Sequence, residues 1–257
     1  MTPRTRIAIL VIALVAVAGA ACATLFTRAE LAGDIARAER IRCDSLRFVD
    51  ALQQSTDDLT RLARAYVATG DERFVDYYHW EHGVRDGTVG RAVDSWRVYW
   101  DLVAAGQDHP RPDGEPLSLV DWAQDYPFTA AEREVLLGIL ATEAELKEIE
   151  EEALSYRAGK FAEVDGRMRV VETPDPVAAA ALLYDPPYLE LRAACLNAID
   201  IFYGLVETRT DEDLAALAAR RGTSGILAGV LAAVAALLAV VTLGSLRACG
   251  GPRASTP

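Results

Sequence analysis

The sequence predicts an all-α protein: a membrane-anchored antiparallel helical bundle whose long first and last helices are continuous with two transmembrane segments, plus a cap of short, aromatic-rich helices. Three observations carry this expectation. Ile7–Phe26 and Ile226–Leu246 contain no charged residue, and about 20 apolar residues suffice for one helical crossing of a bilayer. Between them, apolar residues return at three- and four-residue steps, the period of a helix with one buried face. The tryptophans Trp80, Trp96, Trp100 and Trp122 all fall in the one region broken by glycine and proline.

Residues 1–6 form a short N-terminal segment and residues 7–26 the first crossing. Arg4, Arg6 and the terminal amine precede the crossing, which places the N-terminus in the cytoplasm. Ala18-Gly19-Ala20 has the form of a signal-peptide cleavage site. The apolar run is longer than the ~7–15 residues of a signal core, so the segment reads as a retained anchor. Residues 27–222 form an extracytoplasmic domain, 226–246 the second crossing and 247–257 a cytoplasmic tail. Arg247 and Arg253 follow the second crossing and no acid does. Both termini are therefore expected on the cytoplasmic side of the membrane.

The formal net charge is −12, and every Asp and Glu lies between Glu30 and Asp213. So acidic a central domain argues against nucleic acid as a partner, since phosphates need a basic face. It also keeps the domain off an anionic lipid surface. Otherwise the acidity serves solubility.

From Thr27 to Thr69 no proline interrupts the chain and Gly33 is the single glycine. One continuous helix of about 43 residues is expected, some 65 Å long at ~1.5 Å per residue. Val49, Leu52, Thr56, Leu59, Ala63 and Tyr66 mark a seam of the bundle or coiled-coil kind. An internal core seam and a homodimer seam look alike at this level. Thr69-Gly70-Asp71 then breaks the pattern: Gly70 suits a left-handed helix end, and Asp71 suits the cap of the next helix.

Glu72–Asp86 is a shorter helix, ended by Gly87–Gly90. Asp94–Ala104 is expected to be another, with Trp96, Tyr99 and Trp100 clustered. Gln107–Pro116 reads as a loop, and Ser118 caps a short helix through Gln124. Thr129-Ala130-Ala131-Glu132 is a capping box opening a helix to about Arg157, with Leu136, Ile139, Leu146, Ile149 and Ala153 on one face. Glu143, Glu145, Glu148, Glu150, Glu151 and Glu152 are expected to be mostly solvated. Asp165-Gly166 between Phe161/Val164 and Met168/Val170 fits a small hairpin. Asp175-Pro176 and Asp185-Pro186 each read as an N-cap followed by proline in the first turn. The second opens the last long helix, whose seam is Leu196, Ile199, Tyr203 and Val206, continuing through Leu214 and Leu217.

Arg64, Tyr66, Val67, Thr69, Gly70, Asp71, Phe74, Val75, Tyr77 and Tyr78 stand in a pattern that resembles the extracytoplasmic helical sensor domains of the CHASE type. It is also similar to the four-helix-bundle modules of bacterial chemoreceptors, sensor kinases and cyclases. The likeness continues through Arg85-Asp86-Gly87, Val98-Tyr99-Trp100-Asp101, Pro112-Asp113-Gly114, Phe128-Thr129, Glu150-Glu151-x-Ala153 and Tyr188. The resemblance implies a two-pass membrane sensor or receptor-like protein that binds a small solute or senses envelope state. Its signal would be a small piston or rotation of one long helix against another. Family members continue into a cytoplasmic signalling module, whereas about a dozen residues follow the second crossing here. A separate signalling protein is therefore the expected partner, beside the lipid bilayer and a small-molecule ligand. The alternative is a structural or adaptor membrane protein without a ligand, or a receptor remnant lacking its output domain.

No enzymatic activity and no cofactor are expected, because the sequence has no Gly-rich phosphate loop, nucleophile elbow or Cys-x-x-Cys. His79, Glu81 and His82 lie on one helix without a third strong ligand at zinc-like spacing, so no metal is expected and the histidines read as surface residues. Cys43 and Cys195 stand ~26 Å and ~46 Å along their helices from the crossings, too unequal for a disulfide. The ligand-binding residues expected are Arg61, Arg64, Tyr66, Tyr99 and Trp100. Arg61 and Arg64 share a helix face. Beside the aromatics they would form a cationic fork above an apolar wall, suited to a small carboxylate. The competing reading pairs Arg64 with Asp71 or Asp101 to fasten the cap.

Overall fold

The computed structural model describes residues 2–93, 99–107, 110–159, 162–164, 167–169 and 173–250. Among them the chain forms α1 (Pro3–Thr69), α2 (Glu72–Asp86), α3 (Trp100–Ala104), α4 (Leu119–Gln124), α5 (Ala130–Ala158), β1 (Ala162–Val164), β2 (Arg167–Arg169), α6 (Pro176–Tyr184) and α7 (Pro186–Gly250). The fold is all-α apart from the antiparallel β1–β2 pair, in which Ala162 faces Arg169 and Val164 faces Arg167. The turn expected at Asp165-Gly166 lies outside the described residues, as do Trp96 and the first part of the helix expected from Asp94.

The helix ends follow the local chemistry. Gly70 (φ +71°) closes α1 in the left-handed region, and the Asp71 carboxylate accepts from the Arg73 N–H at 3.1 Å to open α2. The Ser118 hydroxyl accepts from the Asp121 N–H at 3.0 Å. The capping box of α5 is complete: the Thr129 N–H donates to Glu132 at 2.6 Å, and the Glu132 N–H donates to the Thr129 hydroxyl at 3.2 Å. Asp175 and Asp185 accept from the first turns of α6 and α7.

The chain divides into two compact units, residues 1–40 with 210–257 and residues 41–209. In the first, α1 and α7 each contain a stretch long and apolar enough to cross a membrane. Ile12, Val15, Phe26, Ile226, Leu237 and Val240 are exposed there. The two helices pack on each other: Ala228 and Thr242 of α7 are buried, and a Cβ on Gly225 would lie 2.4 Å from the Arg28 guanidinium. This architecture fits a two-pass membrane protein.

In the second unit the seam of α1 is buried as its spacing predicts, at Val49, Leu52, Thr56, Leu59, Ala63 and Tyr66. Leu136, Ile139, Leu146 and Ala153 of α5 and Ala179 and Leu183 of α6 meet it in one core. The buried stripe of α7 keeps Ile199 and Val206 of the expected seam and shifts by one residue at the other two positions. It runs through Cys195, Ile199, Phe202 and Val206, leaving Leu196 and Tyr203 half-buried. The reason is aromatic packing: Phe202 lies 5.3 Å from Phe128 and 6.3 Å from Phe48, whose ring also meets Trp122 at 5.0 Å. Aromatic pairs in such edge-on arrangements add to their area burial.

The loop after α2 is held by close backbone approach. Ala92 bridges to Asp113, and the Gly114 N–H donates to the Arg91 carbonyl at 2.9 Å. A Cβ on Gly90 would sit 2.0 Å from the Gly114 carbonyl oxygen. Gly90→Ala is therefore expected to destabilise the domain by about 1–3 kcal/mol, the usual cost of overpacking. Gly138→Ala, in the exposed middle of α5 with nothing within 4 Å, should stabilise by about 0.5–1 kcal/mol. Thermal melts followed by circular dichroism compare the two.

Candidate functional site

The four long helices of the second unit bring polar side chains into positions where their spacing would otherwise place leucines. From α1 come Ser55, Thr56 and Thr60, from α2 Tyr78, Glu81 and Arg85, from α5 Glu143 and Glu150, and from α7 Tyr188 and Arg192. Glu150 is 3 % exposed, Glu81 6 % and Arg85 8 %. Ionisable groups so deeply buried persist only when paired or hydrogen-bonded; Arg85 has an ion pair and the two glutamates have hydrogen bonds. Glu150 accepts from the Tyr188 hydroxyl at 2.6 Å, the Tyr78 hydroxyl at 3.1 Å and the Thr60 hydroxyl at 3.1 Å. Arg85 forms an ion pair with Glu143 and reaches the Ser55 and Thr56 hydroxyls at 3.3 and 3.4 Å. Thr56 also donates to Glu143. Glu81 accepts from Ser55, and from the Trp100 indole N–H at 3.2 Å. Arg192 ties α7 to α1 through Asp57 at 2.6 Å and Thr60 at 3.3 Å.

Burial sets the proton affinities. It pushes the Glu150 and Glu81 carboxyls above the usual range, against the opposing pull of their hydrogen bonds and neighbouring arginines. Burial and the adjacent Glu150 charge push the Tyr78 and Tyr188 phenols well up, so both remain donors. The Cys195 thiol is pushed up to about 12, first by burial and then by Glu143. The His82 imidazole is pushed down to about 3 by burial, then by the charges of Lys147 and Arg85.

Beside this network lies a cavity of about 330 Å³. Thr56, Leu59 and Thr60 of α1 form its floor. His82 and Arg85 of α2, Leu119 and Val120 of α4, and Leu140, Glu143, Lys147 and Glu150 of α5 form its walls. His82 lines it, and the His82 Nε2 is buried without a hydrogen-bond partner.

The five residues expected to bind ligand do not form one cluster. Tyr99 and Trp100 are buried and line a separate hollow of about 250 Å³ with Tyr77, Trp80 and Val103. Arg61 pairs with Asp58 at 2.6 Å and with Asp101 of α3 at 2.8 Å, next to that hollow. Arg64 points to α6 and α7 instead. It donates to the Leu183 carbonyl at 2.9 Å and stacks on Tyr184 with its guanidinium carbon 4.4 Å from the ring centre. Tyr66 is buried in the seam. His79 is exposed and His82 half-buried with its ring 4.6 Å from Tyr78, so only His79 is the surface residue expected. Among the described residues no group of three His, Cys, Asp or Glu could hold a metal ion. Cys22 and Cys43 are exposed thiols and Cys195 a buried one.

Sequence reasoning missed Glu81, Glu143 and Glu150 as interior residues. A signal was present: Glu143 and Glu150 are seven residues apart and fall on the same face as Ile139, Leu146 and Ala153.

The opposing shifts define a stability optimum. A raised carboxyl keeps its proton in the folded state where the unfolded chain has lost it. The stabilisation from Glu150 and Glu81 is thus complete below their ordinary value of 4.5 and is lost as pH rises through their folded values. His82 runs the other way: its contribution is present above 6.5 and is lost as pH falls toward 3. Melting temperature scanned against pH should peak in mildly acidic solution. Glu150→Gln should flatten the neutral limb and His82→Leu the acidic limb, each by several degrees. Unchanged limbs in both variants would contradict this assignment.

The structure agrees with the expected resemblance at the level of architecture: an all-helical domain flanked by two long apolar helices, in the manner of membrane sensors. It does not single out the CHASE or chemoreceptor families. No protein-family model, no curated protein and no solved structure matches this chain significantly.

Proposed function

We propose that the protein is a two-pass sensor of the bacterial cytoplasmic membrane, with crossings at 7–26 and 226–246, both termini cytoplasmic and residues 27–222 outside. The helical domain takes up a small solute and passes the event to a separate signalling protein. The cavity between α2, α4 and α5 carries this reading. Ligand sites are concave, largely apolar and furnished with a few fixed polar groups, and this cavity has that make-up. Its floor is the buried seam of α1, so an occupant bears directly on the longest helix. Packed helices respond to such pressure by small axial or rotational shifts rather than by bending. The buried acids are each engaged by donors from neighbouring helices, which suits structure and recognition better than catalysis. The sequence-derived set offers a second place for the solute, the hollow at Tyr99 and Trp100 beside Arg61.

An adaptor without a ligand is the competing reading, favoured by the exposed Ile201 and Leu205 one turn apart on α7. The same pair would serve a homodimer through the long helices.

Thiol labelling tests the topology. In spheroplasts of a strain carrying the protein with Cys22→Ala and Cys249→Ala, a membrane-impermeant maleimide should modify Cys43 before lysis. Cys195 should react only after denaturation. Protection of Cys43 until the membrane is opened would end the extracytoplasmic assignment. Arg64→Ala should lower the melting temperature whether or not a solute is present, because it removes the bond to Leu183 and the stacking on Tyr184. A variant that melts like wild type but no longer responds to a solute would place Arg64 in the binding site instead.

A further inference from the structure

We infer that the cavity between α2, α4 and α5 is a binding site for a small monocarboxylate with an apolar body, its headgroup held between Lys147 and His82. The inference rests on the sensor reading above and names the class of solute. Size comes first: about 330 Å³ lies at the lower end of the ~300–1,000 Å³ range of ligand sites. Leu59 and Leu119 are buried in the lining, and Leu140 and Val120 complete its apolar part.

The polar groups then decide the headgroup. Of the carboxylates lining the cavity, the two on α5 are held by donors and Asp86 of α2 stands exposed at the rim. Glu143 accepts from Arg85 and Thr56, and Glu150 accepts from Thr60, Tyr78 and Tyr188. An entering cation would find these acceptors engaged and Arg85 close by. Two nitrogens remain for a ligand. The His82 Nε2 is buried without a partner and closed off by its surroundings, so an anion reaches it only when the ring turns toward the cavity. The Lys147 Nζ has Glu151 at 3.8 Å, beyond hydrogen-bond reach, so its N–H donors are available to an anion. One nitrogen comes from α2 and the other from α5, so a carboxylate accepting from both would join opposite walls. Charge-assisted bonds of this kind are roughly twice as strong as neutral ones. Asp86 on α2, exposed at the rim, and Glu151 on α5 add negative charge nearby. A dianion would be repelled where a monoanion is tolerated.

Calorimetric titration of the full chain in lipid nanodiscs, with empty nanodiscs as the blank, tests this. The probes are phenylacetate and hexanoate against phenethylamine and phenylacetamide. Both carboxylates should bind, and the amine and amide should not. Lys147→Met should weaken phenylacetate binding tenfold or more, Lys147→Arg should restore it, and Leu140→Trp should abolish it by filling the cavity. Circular dichroism confirms that each variant is folded. Carboxylate binding that survives both Lys147→Met and Leu140→Trp overturns the site. Binding of the amine or amide in preference, abolished by Leu140→Trp, overturns the class but leaves the solute-sensing reading intact. If no probe binds at millimolar concentration, the inference is overturned and the cavity no longer supports the sensor reading.

Discussion

One carboxyl group organises the central domain. Glu150 projects from α5 into the core and meets hydroxyls from three other helices, Thr60 of α1, Tyr78 of α2 and Tyr188 of α7. Apolar contacts between helices tolerate sliding by a turn, because one leucine replaces another. A buried carboxyl with three specific donors does not: a single axial alignment brings residues 60, 78 and 188 together around it. Displacing any one of the hydroxyls leaves a buried polar group unsatisfied, at about 1–3 kcal/mol. The Arg85–Glu143 pair repeats the device two helical turns away, between α2 and α5. Buried ion pairs are weak evidence for stability, and register is among their best-attested uses.

The same placement of polar residues explains why the bundle is not solid. Threonines at 56 and 60 are smaller than the leucines that would fill a seam, and they turn their hydroxyls to the acids. The six-residue α4 covers only part of the gap between α2 and α5. A polar network beside an incompletely covered gap leaves room while its charged groups stay engaged; the nitrogen left without a partner there is that of the neutral His82.

Most of the fold was legible in the sequence because it rests on local signals. Gly70, Asp71, Ser118 and the Thr129–Glu132 box mark helix ends by bonds to residues within a few positions, and the seam of α1 is a matter of period alone. What was not legible depends on partners distant in the chain. Glu143 and Glu150 sit in a run of glutamates that reads as solvated, and their burial follows from Arg85, Tyr78 and Tyr188 on other helices. On α7, Ile199 and Val206 were placed correctly, whereas Tyr203 was named in place of Phe202, which answers to Phe48 and Phe128 as no local pattern reveals. Of the residues expected to bind ligand, Tyr99 and Trp100 do line a hollow. Arg64 was associated with them by sequence proximity to Arg61, but on a helix a three-residue step is wide enough for two long side chains to reach different neighbours.

Cys195 gives the domain an internal clock. Buried on the core face of α7 and with its thiolate strongly disfavoured, it is unreactive while the helices stay packed, since the thiolate is the nucleophile. Any modification must await an opening that separates α7 from the core. Cys43, exposed on α1, reacts without waiting. The ratio of the two rates within one molecule tracks how often the bundle comes apart in its native bilayer, without detergent.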